Sequence, residues 1–295
     1  MELTTAQQLA DLNRRFYEDH AAAFARSRST PQPGIQRVLA MIPHGARVLE
    51  IGCGDGKVAR ALAANSGVSA YLGLDLSPAM LERARVNLTQ DERSPRETAP
   101  GHLALGFRNS SFVILHSSLG IRHSSFGIRH SSFSIRHSSF GTLRGHFSFA
   151  LADFVDPGWT RALPPEPFDN VLAFAVFHHL PGGQTRAHVL RTLGERLAPG
   201  GALVMSNWQF VRSQRLQRRI VPWSTLNMSE ADVEPGDYLL TWERNHRRGL
   251  RYVHLLDEAE ARRMAEAAGL HVVEVFCSDG VSNDLADYVI MQKPE

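Results

Sequence analysis

Glu50, Gly52, Gly54 and Gly56, with Asp75 further on, are the residues whose types and spacing point most directly to chemistry. Three glycines at alternate positions make a turn that residues with side chains resist, and they let a ligand approach the backbone closely. The run lacks the Gly-Lys-Ser/Thr ending of a phosphate-binding loop, and its spacing is not the Gly-x-Gly-x-x-Gly of dinucleotide enzymes. Glu50 would be unfavourable beside a pyrophosphate and suits a cationic ligand end. Asp75 closes the apolar run AYLGLD, where a carboxylate can accept two hydrogen bonds from a ribose diol. The pattern reads as a site for ribose without phosphate. Downstream, His178 and His179 follow an apolar strand, the place where parallel-sheet enzymes put reacting groups, and His178 can act there as a general base or a substrate contact.

The flanking sequence supplies the elements that must hold these residues. Val48, Leu49 and Ile51 read as a buried parallel strand, and the helix beginning near Lys57 aims its free amides back at the glycine turn. Ser77 and Pro78 make an N-cap and first turn for a helix through Leu88, and Gly200 with Gly201 turns the chain into a strand. Asp257 and Glu260 can cap a helix closing at Gly269, followed by strands in HVVEVFC and DYVIMQ. Strands alternating with helices predict an α/β fold, a doubly wound and mostly parallel sheet with helices on both faces. Ahead of it, residues 1–45 read as a helical cap, with Leu9, Leu12, Phe16 and Phe24 at helical spacing over the ligand pocket.

With these motifs on the page, the chain resembles the class I S-adenosylmethionine-dependent methyltransferases. Glu50, Gly52, Gly54 and Gly56 match the first motif of that family, Asp75 its ribose acid, and Asp153 with Phe154 in ALADF its adenine-contacting turn. FDNVLAFAVFHHL and RLAPGGALVMSNW match the fourth and fifth strands. The resemblance implies S-adenosyl-L-methionine as cofactor, further contacts at Leu76 and Ala175, and a seven-stranded sheet whose last strand is antiparallel. Methyl transfer from a sulfonium is an in-line displacement that needs positioning and no metal.

Length and composition fit one catalytic domain over residues 1–295 with additions. The net charge of +2 is too small to argue for nucleic acid without a local patch. Cys53 and Cys277 lie far apart and match neither a disulfide framework nor a zinc site, which fits a cytoplasmic protein. No signal peptide and no membrane span are read, so no membrane partner is expected. Residues 89–147 form an insertion in which a Ser-Ser-Phe or Ser-Ser-Leu unit recurs every seven residues. Phe126, Ile128 and Phe133 fall two and then five apart, and no regular element buries such a spacing, so the segment reads as a disordered surface loop.

A narrower resemblance links FARSRSTPQP, GDYLLTW and RYVHLL to the eukaryotic wobble-uridine tRNA carboxymethyl methyltransferases, through Arg28, Pro31, Pro33, Arg251, Tyr252 and His254. It departs from that family at Gln32, at Asp55 and in the tail. It implies catalytic roles for Arg28, Arg251 and His254 beside the His178 already placed after the fourth strand, and a small zinc-binding activator subunit pairing with the third strand, which the insertion would hinder or replace. A carboxylate is already ionised at neutral pH, so its methylation needs positioning more than a base. Residues 209–256 read as a substrate-side lid, with Arg212, Arg215, Arg218, Arg219, Arg244, Arg247 and Arg248 as a basic surface for RNA. Three readings stay open: methylation of an oxygen on a modified tRNA wobble uridine, methylation of a small-molecule acceptor, and an inactive donor-binding scaffold.

Overall fold

The computed structural model describes residues 1–25, 30–65, 67–91, 146–244 and 247–295. The heptapeptide repeats and Arg28 lie outside them.

Seven strands form the main sheet: β1 (Arg47–Ile51), β2 (Ala70–Asp75), β3 (His146–Leu151), β4 (Phe168–Phe174), β5 (Leu197–Trp208), β9 (His271–Ser278) and β10 (Ala286–Gln292). Their order is β3-β2-β1-β4-β5-β10-β9. β10 runs antiparallel to both β5 and β9, and the β1, β2, β3, β4 and β5 pairings are parallel. This is the doubly wound, mostly parallel sheet expected from the sequence. β1 pairs with β2 on one side and with β4 on the other. The chain therefore reverses its winding there, and a crevice opens beyond the carboxyl ends of β1 and β4.

Alternation along the strands builds a core on each face. Leu49, Ile51, Val171, Ala173, Leu203 and Met205 point toward α5 (Gly183–Glu195) and α7 (Glu258–Ala267). Val48, Leu172 and Val204 point the other way, toward α2 (Pro33–Leu39) and α3 (Lys57–Asn65). Burial of both faces explains why β4 is an unbroken apolar run from Val171 to Phe174.

A second, antiparallel sheet of β6 (Ile220–Val221), β7 (Asp237–Arg244) and β8 (Arg247–His254) occupies the segment expected to be a lid. Against β8 packs α1 (Leu3–Ala25), whose Leu9 joins Trp223, Leu239 and Tyr252 in a small core. The contact is close because β8 carries Gly249: a Cβ there would stand 2.8 Å from the rings of both Phe16 and His20.

Four local expectations need correction. Gly200 and Gly201 do not precede β5 but lie within it, where the register with β4 slips and Gly200 takes φ +71°. α4 (Pro78–Asp91) runs past Leu88 and β3 begins at His146, so residues 89–91 and 146–147, assigned to the insertion, belong to regular elements. Asp257 does cap α7, accepting from the Glu260 amide at 2.7 Å, but the Glu260 side chain turns away into a buried cluster. Arg212 is not free to serve a basic surface, since both its terminal nitrogens bind Asp287, at 2.6 and 2.8 Å.

Candidate active site

The carboxyl ends of β1, β2 and β4 surround one cavity, lined among others by Glu50, Gly52, Gly54, Asp75, Leu76, Asp153, Phe154 and Ala175. These are the residues expected to hold the donor, with one exception. Gly56 stands behind the cavity wall, where an added Cβ would come within 2.9 Å of Ala84 on α4. Its role is close packing of α3 against α4.

Positive φ is a shared requirement of the loop: Gly52 sits at +66° and Gly54 at +56°. At Gly52 a side chain is excluded twice, since its Cβ would also meet the Val176 Cγ2 at 2.4 Å. The loop is tied to β2 through Asp75. One carboxylate oxygen accepts from the Gly54 amide at 2.8 Å, and the other from the Ser77 amide at 2.9 Å. Burial raises the Asp75 pKa, and the backbone donors Ser77, Gly54 and Leu76 oppose the rise. With three amide donors on about four lone-pair positions, the carboxylate keeps room for a ribose hydroxyl.

Glu50 lies deeper, only 3% exposed, and accepts a short hydrogen bond from the Tyr71 hydroxyl. Burial pushes its carboxyl up to about 8, against the pull of Tyr71 and Lys57. A ligand cation near it would favour the ionised form and expel a proton. At the tip of β4, Ala175 holds φ +59°, a conformation rare for a residue with a side chain. Its amide is fixed by the Ser206 carbonyl at 3.0 Å and the Ser206 hydroxyl at 3.1 Å. Asp153 caps its own turn through the Val155 amide at 3.1 Å and pairs with Arg14 of α1 at 2.9 Å.

The rest of the cavity wall comes from far along the chain: Tyr17 of α1, His178 and His179 after β4, Trp208 at the end of β5, and Arg251 of β8. Arg251 is 5% exposed, and its guanidinium lies 4.6 Å from the Trp208 ring centre and 5.6 Å from that of Phe16. Around a cation so framed, two aromatic faces replace part of its water. His178 Nδ1 accepts from the Trp208 amide at 3.3 Å, so the proton of the neutral ring sits on Nε2. In that tautomer Nδ1 is not available as a general base, and of the two roles read from the sequence, base or substrate contact, this nitrogen serves neither.

His254 is placed elsewhere. Its ring does not line this cavity, and it is held between Asp237 at 2.7 Å and Glu260 at 2.8 Å. Glu260 and Glu234 both reach Arg186, itself 2% exposed, at 2.9 and 3.0 Å. Burial alone would lower the His254 pKa, but the hydrogen bonds to Asp237 and Glu260 outweigh it and raise the ring above its ordinary value. Burial would raise Glu260, but His254 and Arg186 more than reverse this and bring it down to about 2. The cluster fastens β7 and β8 to α5 and α7. His254 is thus a structural clamp and a correction to its expected catalytic place. Glu234, Asp237 and His254 also come together as potential metal ligands, yet each already has protein partners.

Tyr17, Asn13 and the Arg186 cluster were missed from the sequence. Asn13 bonds the amide of Tyr252 at 2.9 Å and its carbonyl at 3.1 Å, substituting for a neighbouring strand. No local signal marks such a pair, because its members are far apart in the chain.

Comparison with known proteins places these features together. The sequence matches the family described as "Methyltransferase domain" over residues 22–275. It is 40% identical over 78 residues to the biotin biosynthesis bifunctional protein BioCD of Bordetella avium (strain 197N), a stretch that takes in 26% of this chain and spans only 16% of that protein. Among solved structures, it is similar to magnesium protoporphyrin IX methyltransferase (ChlM) from Synechocystis PCC 6803 with bound SAH, with TM-score 0.56 and 13% identity over 96% of this chain and 99% of that one. It is also similar to a SAM-dependent methyltransferase from Methanosarcina mazei, with TM-score 0.54 and 16% identity over 90% and 99% of the two chains. The CcbJ methyltransferase from Streptomyces caelestis gives TM-score 0.54 and 16% identity over 95% and 96%. At these identities the likeness to the solved structures is one of fold.

Proposed function

The chain belongs to the methyltransferase domain family, a methyl-transferring enzyme that draws on S-adenosyl-L-methionine, and from that premise we propose that its acceptor is an oxygen beside an anionic group. The narrower resemblance points to a modified wobble uridine of tRNA, with its carboxylate or another oxygen as the atom methylated. The observation that carries the proposal is Arg251, a buried guanidinium set between Trp208 and Phe16 on the wall of the cavity that also holds the glycine loop. A forked donor so placed grips a carboxylate or phosphate in one orientation.

The cradle fits the donor. When bound, S-adenosyl-L-methionine supplies an electrophilic methyl group on a cationic sulfur. Gly52 and Gly54 leave room for close approach, Asp75 offers lone pairs to a ribose, and Glu50 supplies a carboxylate that a nearby cation would ionise. Asp153 and Phe154 are the pair proposed to meet the adenine, which requires Asp153 to share or release Arg14.

Support for RNA comes from Arg215, Arg218, Arg247 and Arg248, all exposed at the second sheet and the short α6 (Gln214–Gln217) before it. A small-molecule acceptor is favoured instead by the cover that Ala10, Arg14 and Tyr17 of α1 place on the cavity. β3 is the edge strand among the described residues, with Leu151 58% exposed, the place where a small zinc-binding activator would pair and where the insertion would hinder or replace it. The unpaired thiols of Cys53 and Cys277 fit a cytoplasmic setting. Among the described residues no helix is long and apolar enough to cross a membrane.

Labelled-methyl transfer to total tRNA and to a metabolite extract tests the proposal. Label in tRNA nucleosides, weakened in Arg251→Lys, is the expected result. Label confined to the extract would assign a small-molecule acceptor, and donor binding without transfer to either would leave an inactive scaffold.

A further inference from the structure

Tyr17 and His179 meet across the cavity from distant parts of the chain. The Tyr17 hydroxyl lies 2.7 Å from His179 Nε2, and His179 Nδ1 lies 3.1 Å from the Tyr252 carbonyl oxygen. A carbonyl can only accept, so Nδ1 carries a proton, and Nε2 of the neutral ring must accept from Tyr17. The ring is held edge-on to Tyr17, with centroids 5.5 Å apart. The carbonyl that orients it is fixed in turn by the Asn13 amide at 3.1 Å. A hydroxyl on the wall, an imidazole behind it and an acceptor oriented behind that make the arrangement of an activated base. His178, whose Nδ1 is taken by the Trp208 amide, cannot play that part from the same nitrogen.

We propose that Tyr17 and His179 form a proton relay, and that the acceptor oxygen is therefore a hydroxyl whose neighbouring carboxylate or phosphate is held by Arg251. As the hydroxyl oxygen bonds to the donor methyl carbon, its proton passes to the Tyr17 oxygen and the Tyr17 proton passes to His179 Nε2. The carbon–sulfur bond breaks and its electron pair stays on sulfur, which becomes neutral. The positive charge moves to the His179 imidazolium, facing the Tyr252 carbonyl, and the proton is then lost to water. A carboxylate nucleophile would need no such relay, because it carries no proton at neutral pH.

This inference rests on the proposed function and narrows its acceptor. The full chain is compared with Tyr17→Phe and His179→Gln, using labelled-methyl transfer to total tRNA and to a metabolite extract. The label is then treated with mild alkali, which releases methyl esters as methanol and leaves methyl ethers intact. Expected are an alkali-stable label, a fall of about 100-fold in rate for each variant, no further fall in the double variant, and unchanged binding of S-adenosylhomocysteine. Alkali-labile label, or variants as fast as the parent, would overturn the relay. Absence of any transfer would count against the enzyme reading, so the pair is also read without an acceptor, by nuclear magnetic resonance of isotope-labelled histidine. The Nδ1–H tautomer of His179, perturbed at Nε2 by Tyr17→Phe, is expected. The Nε2–H tautomer, or a ring indifferent to Tyr17→Phe, would overturn the proposal by itself.

Discussion

The half of the cavity proposed to take the donor and the half proposed to take the acceptor are built from different materials. On the donor side a local backbone loop sets the shape, tied down by the one carboxylate of Asp75. Gly52 and Gly54 hold positive φ, Asp75 binds two amides, and Ala175 is fixed through its own amide. On the acceptor side the contacts are made by side chains joined over long separations, Tyr17 to His179 and Asn13 to Tyr252. The donor is a fixed compound, and a backbone cradle suits an unvarying shape. Side chains that meet from α1, β5 and β8 can be exchanged singly, and in the proposed reading they set what is methylated.

The difference can be broken at its anchor. Arg186 is the buried cation among Glu234, Glu260 and the His254–Asp237 pair. Arg186→Met strands these carboxylates and should cost about 3–5 kcal/mol of unfolding free energy, measured by denaturant titration. A loss under about 1 kcal/mol would mean that the cluster does not hold the second sheet. Its pH window follows from the shifts. The Glu260 contribution is present above the ordinary carboxylate range and is lost as pH falls toward its folded value of about 2. The His254 contribution is present below its ordinary pKa and is lost as pH rises through the raised folded one.

Next in size is the donor loop. Gly52→Ala meets both a positive φ and the Val176 methyl, so calorimetry should record a donor affinity lower by about 100-fold, the equivalent of about 2.7 kcal/mol. Unchanged affinity would show that the loop is not a backbone cradle. On the acceptor side, Arg251→Lys keeps the charge and loses the fork. It should lower kcat/KM by about tenfold while leaving donor affinity intact, and equal losses in both would place Arg251 with the donor instead.

The smallest effect sharpens the comparison. Burial raises Glu50 to about 8, and a bound cation would lower it. Donor binding should therefore release a proton, and affinity should climb as pH rises through about 8. Glu50→Gln should flatten that slope, as read by calorimetry in buffers of different ionisation heat. The same raised pKa makes the Glu50 contribution to stability fall as pH rises from the ordinary carboxylate range to about 8.

The two halves also differ in how far the sequence disclosed them. Gly54 and Asp75 are joined by one strand-helix-strand unit, and their local rules of turn, strand and cap are written in contiguous residues. The mostly parallel, doubly wound sheet was legible for the same reason, while its seven strands and antiparallel last strand followed from the family resemblance. Gly56 was legible as a glycine but not in its purpose, because the close approach to Ala84 belongs to tertiary packing. The second sheet was hidden within a segment read as a lid, since β6 is only two residues long and α1 supplies the cover for β8. His254 and Glu260 looked like a catalytic residue and a capping residue, and only the fold brings them together beside Arg186. Tyr17 carried no motif at all. Its partner His179 was readable as a histidine after a strand, but nothing in the sequence said that it would face the Tyr17 hydroxyl.

The most direct test of the account is binding of S-adenosylhomocysteine by the wild-type chain, Asp75→Asn and Tyr17→Phe, measured side by side in one calorimeter. The account predicts saturable binding by the wild type, retained in Tyr17→Phe and severely weakened in Asp75→Asn. Equal binding by Asp75→Asn, or loss in Tyr17→Phe of a protein that melts like the wild type, would contradict the division into a backbone-built donor half and a side-chain-built acceptor half.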